Sequence, residues 1–201
     1  MAIVATGAIG SLLLAGPASA APSTAGPGTM TVTETPTPVV ASSTGNTLTF
    51  TYTAAAAGVS KGSLQFIVPN DWTLPQKKKA THAGYVHASK GKVVISGSTV
   101  SIKRLKVCAG CSITVTYADA SAPTTGEIST FATSAAAKGR KVAPLASQPT
   151  VTVATLPTAP AITSVTPGDD QLTVQLSAST AFPAITSYTV TCGTQTTTVD
   201  S

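Results

Sequence analysis

The sequence predicts an all-β protein built from antiparallel β-sandwiches, and three observations predict it. Thr fills 36 of the 201 positions. Together with Val it favours pleated strands, where a branched side chain packs against its neighbours. Short stretches alternate Thr with apolar residues, the period of a strand with one buried face. No stretch with a 3.6-residue period competes: the nearest, Ala54 to Ala57, is too short to hold a helix. Composition also excludes other classes. An apolar content of 42% is too high for a disordered chain. Charged residues at 9% fall far below the roughly one quarter of an ordinary soluble enzyme.

The first element is an export signal. Ile3 to Ala15 is a mostly apolar run, followed by the breaker Gly16-Pro17 and the small residues Ala18-Ser19-Ala20. This order of apolar region, breaker and small-x-small site predicts cleavage between Ala20 and Ala21, although no Lys or Arg precedes the run. As a helix the run reaches only about 20 Å, short of the roughly 30 Å hydrocarbon core of a bilayer. The mature chain is therefore expected to be secreted or held at the cell surface, with no membrane span.

Residues 21–28 are rich in Pro and Gly and read as a linker. From Thr29 to Ala154 the pattern is that of one sandwich of seven to nine strands. Thr29 to Thr33 alternates. In Asn46 to Thr53, Leu48, Phe50 and Tyr52 share one face and four Thr residues the other. Leu64, Phe66 and Val68 repeat this before Pro69. Val100 and Ile102 begin another run that Leu105 and Val107 continue out of phase, the signature of a bulge. Ile113, Val115 and Tyr117 form a further strand, and Thr150 to Val153 the last. Turn residues such as Ser43-Thr44-Gly45-Asn46 and Ser96-Gly97-Ser98 separate the runs.

A Pro-rich linker at 155–160 leads into a second segment, 161–201. It holds Ser164-Val165-Thr166, a Pro167-Gly168-Asp169-Asp170 turn, the strand Gln171 to Leu176, and Ile185 to Thr191. The Ala159-Pro160 lead-in, the Pro-Gly-Asp turn, Leu172-Thr173-Val174 and Ile185-Thr186-Ser187-Tyr188-Thr189-Val190 together resemble the first half of a bacterial fibronectin type III domain. Leu176 stands where that family usually carries a tryptophan. The resemblance implies an incomplete fibronectin type III β-sandwich, which a sheet face left uncovered does not stabilise alone. Residues 29–154 resemble, more loosely, immunoglobulin-like repeats of large bacterial surface proteins. The stretches that carry this are Gly45 to Tyr52, Val68-Pro69-Asn70-Asp71-Trp72, Ala83-Gly84-Tyr85-Val86 and Pro144 to Pro149. It implies an immunoglobulin-like antiparallel sandwich that serves as stalk or adhesive module. The fibronectin type III resemblance implies the alternative: an accessory, carbohydrate-binding region of an extracellular polysaccharide hydrolase, with Trp72 and Tyr85 stacking on sugar rings.

Charge is uneven. All 12 Lys and Arg residues lie between Lys61 and Lys141, against four acids in the first sandwich, a net charge there of +8. The second segment carries only Asp169, Asp170 and Asp200, a net charge of −3. Lys77-Lys78-Lys79 and Lys103-Arg104-Lys106 are the candidate contacts to anionic envelope polymers or extracellular polysaccharide. Without aromatics between the lysines there is no platform for nucleic-acid bases.

The remaining chemistry is sparse. Cys108-Ala109-Gly110-Cys111 has redox spacing, but a strand follows where a helix N-terminus would be needed to lower the thiol pKa. Joined with His82 and His87 the pair has the ligand count for zinc, on unsuitable loop and strand positions. The favoured reading is a disulfide pinning a hairpin turn in an oxidising compartment. Cys192 is then an unpaired thiol whose partner lies outside the chain. Glu34, Asp71, Asp119 and Glu127 form no catalytic pair, and no nucleophile elbow or phosphate loop is present. The expectation is a protein without catalytic residues, metal or cofactor.

Overall fold

The computed structural model describes residues 27–169 and 171–201. The expected export signal at 1–20, most of the expected linker at 21–28, Asp170 and the side chain of Cys192 lie outside that description. The described residues contain no α-helix; their regular elements are strands arranged in open, layered sheets. The first are β1 (Thr29–Thr35), β2 (Val39–Val40), β3 (Asn46–Thr53), β4 (Val59–Ile67), β5 (Tyr85–Ala88) and β6 (Lys92–Ser96). They continue as β7 (Thr99–Val107), β8 (Ser112–Ala120), β9 (Glu127–Thr130), β10 (Thr133–Ala136), β11 (Ala143–Pro144) and β12 (Thr150–Ala154). The remainder are β13 (Ile162–Gly168), β14 (Gln171–Leu176), β15 (Ser187–Cys192) and β16 (Gln195–Asp200).

One layer is a four-stranded antiparallel sheet in the order β1-β3-β8-β5. The facing layer is a five-stranded sheet, β11-β10-β4-β7-β6, with a smaller sheet β2-β12-β9 in which β2 runs parallel to β12. The alternation read from the sequence places the core. Leu48, Phe50 and Tyr52 of β3 pair across to Tyr117, Val115 and Ile113 of β8, and all six side chains are buried. Their Thr neighbours pair Thr49 with Thr116 and Thr51 with Thr114, and β1 extends these rows with Thr33 and Thr31. Hydroxyls thus cover the outer face without charge.

Aromatic rings join the layers. Phe50 stacks on Phe66 of the facing sheet at 4.7 Å between centroids, and Phe131 tilts against Phe50 at 5.1 Å. Six of the nine aromatic side chains are buried in this sandwich, so a composition poor in aromatics concentrates them where two sheets must be held together.

The bulge expected near Leu105 is present, and it is double. Register slips on β4 between Val59 and Ser63, and opposite it on β7, where Arg104 is the unpaired residue. Lys61 (φ 49°) and Arg104 (φ 57°) both adopt left-handed backbone there. Gly62 sits between them, and a Cβ on it would lie 2.2 Å from the Ala136 carbonyl oxygen. Only glycine lets β4 approach β10 so closely.

Other features differ from the sequence reading. The alternation did not reveal β2, β5, β6, β9, β10, β11 or β16. These are short, or their apolar residues are Ala and Val in mixed surroundings. The Cys108–Cys111 turn is not a hairpin: β7 belongs to the five-stranded sheet and β8 to the four-stranded one. The turn is a corner where the chain crosses from one layer to the other. In the final segment, β13 pairs only with β14 and β15 only with β16. Among the described residues, none after Val153 belongs to the buried apolar core. Ile162, Val165, Leu172 and Val199 are exposed. No helix of the described residues is long and apolar enough to cross a membrane.

Two buried phenols tie loops to the sandwich. Tyr52 donates to the Pro27 carbonyl and Tyr117 to the Thr73 carbonyl. Burial pushes both pKa values up. An unfolded phenol ionises near pH ~10. Above that pH the unfolded chain sheds protons that the folded chain keeps, so stability falls as pH rises. We expect the urea midpoint to drop steeply above about pH 10. Tyr117→Phe should flatten that drop while losing about 1 kcal/mol at neutral pH. An equally steep drop in the variant would assign the alkaline loss to other groups.

Candidate functional site

The Cys108–Cys111 disulfide closes the corner between β7 and β8, with Cα atoms 5.2 Å apart. The Cys111 N–H donates to the Cys108 carbonyl at 3.1 Å, a tight turn, and Gly110 takes φ 66° within it. The flanking strands diverge into different sheets, so the bridge does not have to span a hydrogen-bonded strand pair, whose geometry suits disulfides poorly. The corner is also docked on the β3–β4 connection. Ala54 donates to Cys111 O and Gly110 donates to Ala54 O. With both sulfurs joined, neither is available as a metal ligand. Among the described residues no cluster of three His, Cys, Asp or Glu side chains forms a metal-binding set. His82 and His87 are both exposed, His82 in the loop before β5 and His87 on β5 itself.

Trp72 is a core side chain and not a sugar platform. It is 3% exposed, its ring meets Phe131 edge-on at 5.7 Å, and its indole N–H donates to Ser129 Oγ at 2.8 Å. Ser129 in turn donates to Glu127 at 2.6 Å. A ring this buried has no open face on which a sugar could stack. The turn that delivers it, Pro69 to Thr73, is fixed by the Tyr117 phenol and by Thr73 Oγ1, which accepts from the Ser121 N–H. Tyr85 is half-buried on β5, the edge strand of the four-stranded sheet.

The lysine clusters part company. Lys77, Lys78 and Lys79 are exposed in a loop that Gln76 organises. Its side-chain oxygen accepts from the backbone of Lys78 and Lys79, and its amide donates to the carbonyls of Lys79 and His82. The Lys77 ammonium is spent on the Val93 carbonyl of β6 at 3.0 Å. Lys103 and Arg104 instead meet partners from distant sequence. With Lys61, Lys138 and Arg140 they surround a depression of about 350 Å³ whose lining contains no carboxylate. Lys106 lies on a separate depression with Lys90, beside the disulfide corner.

The sheet explains this gathering. Nine of the 12 cations lie on the five-stranded sheet or on loops joined to it: Lys61, Lys90, Lys92, Lys103, Arg104, Lys106, Lys138, Arg140 and Lys141. None of its five strands contains an acid. Of these nine, only Lys103, Arg104 and Lys106 were singled out from the sequence; Lys61, Lys90, Lys92, Lys138, Arg140 and Lys141 were not among the site residues expected there. Lys138-Gly139-Arg140-Lys141 is a visible run in the sequence, but only pairing of β10 with β4 brings it to the bulges. No protein-family model matches the chain, and no curated protein is significantly similar to it.

Trp72→Ala should lower the stability by about 3–5 kcal/mol, as for other buried aromatics. Polymer retention should stay unchanged under conditions where the variant remains folded. Circular dichroism with urea, run beside a pull-down, checks both. A stable variant that loses polysaccharide binding would return Trp72 to a ligand role. Replacing Cys108 and Cys111 together by Ser should cost about 2 kcal/mol, the chain-entropy value for so short a loop. The shift in urea midpoint, compared with that of the reduced wild type, measures it.

Proposed function

We propose that the chain is a non-enzymatic, exported β-sandwich protein that acts as spacer and adhesive element at a bacterial cell surface. It would hold anionic envelope polymer through one cationic sheet face. The observation that carries this reading is the one-sided charge. Nine cations share the five-stranded sheet and its loops, and no acid lies in those strands. Such a face attracts polyanions over a Debye length and adds nothing to folding.

The architecture supports the family part of the proposal. The order β1-β3-β8-β5 matches an immunoglobulin-type A-B-E-D sheet, and β10 beside β4 matches the F-C pair of the other layer. The β6–β7 hairpin beside β4 is an addition to that plan. For residues 161–201, the two unjoined hairpins and the absence of buried core side chains among the described residues support the first half of a fibronectin type III module. Burial of Trp72 leaves the sugar-binding alternative only Tyr85, half-buried on an edge strand, so the spacer and adhesive reading is the better supported.

The mature chain should be retained on purified anionic wall polymer at low salt. It should be released as salt rises towards 1 M, where screening shortens the Debye length to about 3 Å. Column retention against a salt gradient reads this. A chain that flows through at low salt has no adhesive electrostatic face.

A further inference from the structure

The double bulge gathers charge in a way that folding does not favour. Lys92 and Lys103 are directly opposed in register on β6 and β7, and like charges opposed across a ladder weaken it. Lys61 and Arg104 occupy left-handed backbone that residues with a Cβ seldom adopt. Backbone of this kind persists where the surrounding structure enforces it, and it clusters at ligand clamps. Each bulge adds a residue to its strand and re-aims the side chain there. Gly62 leaves the floor between them without a side chain, and the β10–β11 loop supplies Lys138 and Arg140 at the rim. No carboxylate lies in the lining to neutralise its five cations, Lys61, Lys103, Arg104, Lys138 and Arg140.

We propose that this depression, between the paired bulges and the β10–β11 loop, binds a tetrahedral oxyanion ester, a phosphate or sulfate group carried on a surface polymer. The inference rests on the polyanion reading above and narrows it to one site and one anion shape. Guanidinium groups present a planar fork that holds two oxygens of such a group at once, and ammonium groups add point charges around it. A sulfate ester or a phosphate monoester offers three unesterified oxygens that point in different directions, so several of the five cations can bond it at once. A uronate carboxylate offers only two oxygens, both in one plane, enough for one fork-like pair and too few to engage the other cations around the depression.

The test uses the full mature chain at one low salt concentration. Its binding to immobilised polyphosphate, dextran sulfate and polygalacturonate is compared. Two triple variants are compared with it, Lys103→Gln/Lys138→Gln/Arg140→Gln at the depression and Lys77→Gln/Lys78→Gln/Lys79→Gln in the loop. Each removes three charges from exposed positions, and circular dichroism verifies the fold. Polyphosphate or dextran sulfate should bind more tightly than polygalacturonate, and preference between the first two assigns phosphate or sulfate. The depression variant should lose about tenfold in affinity, because exposed ion contacts are individually weak and act together. The loop variant should lose less than about twofold. Equal losses in the two variants would overturn the site while leaving general electrostatic adhesion standing. Equal binding of polygalacturonate would overturn the anion class. Binding to none of the three polymers would remove both this site and the adhesive reading.

Discussion

The stack of Phe50 on Phe66 is the contact on which the rest of the structure depends. Two sheets that carry mostly Thr and Val have little bulk with which to fill the roughly 10 Å between them. Phe50 comes from the centre of β3 and Phe66 from the end of β4 in the facing layer, and Phe131 closes the group from between β9 and β10. Trp72 extends it outward to Phe131, with its polar edge satisfied by Ser129. Four rings from four separated segments thus fix the spacing of the layers. The loops beyond them, including the Pro69–Thr73 turn, inherit their positions from that spacing.

Polar side chains complete what the sheets leave open. Gln148 fills the break between β11 and β12. Its amide nitrogen donates to the carbonyls of Thr133 and Leu145, and its oxygen accepts from the Thr133 hydroxyl. Asn46, fully buried, donates to Ser43 O and Ala120 O and so closes the turn before β3. Buried donors and acceptors left without partners are costly, so these two residues are as structural as the aromatics. With so few charges in the chain, interior polarity is handled by amides and hydroxyls. Most of the lysines and arginines are left for one outer face.

The strands with long alternation were legible because period two leaves one answer for which face is buried: β3 and β8 follow the pattern residue by residue. The bulge at Leu105 was legible as a phase slip. Its partner on β4 was not, because Val59-Ser60-Lys61-Gly62 carries too few apolar residues to show one. Trp72 could be weighed from sequence only as a lone aromatic after a turn. Its burial depends on Phe131 and Ser129, nearly 60 positions away. The Cys-x-x-C spacing fixed that a bridge could close, but not that the strands on either side enter different layers.

By itself the sequence determined the fold class, the inward and outward faces of the main strands, and the separation of a basic first part from an acidic second. Those properties are set by local period and composition, which act over a few residues. The tertiary structure alone decided which cations share a surface. Lys61, Lys103 and Arg104 meet Lys138 and Arg140 only because β10 and β7 both pair with β4. Such pairing is a choice among distant strands, made by the complementarity of buried faces, and no local pattern encodes it.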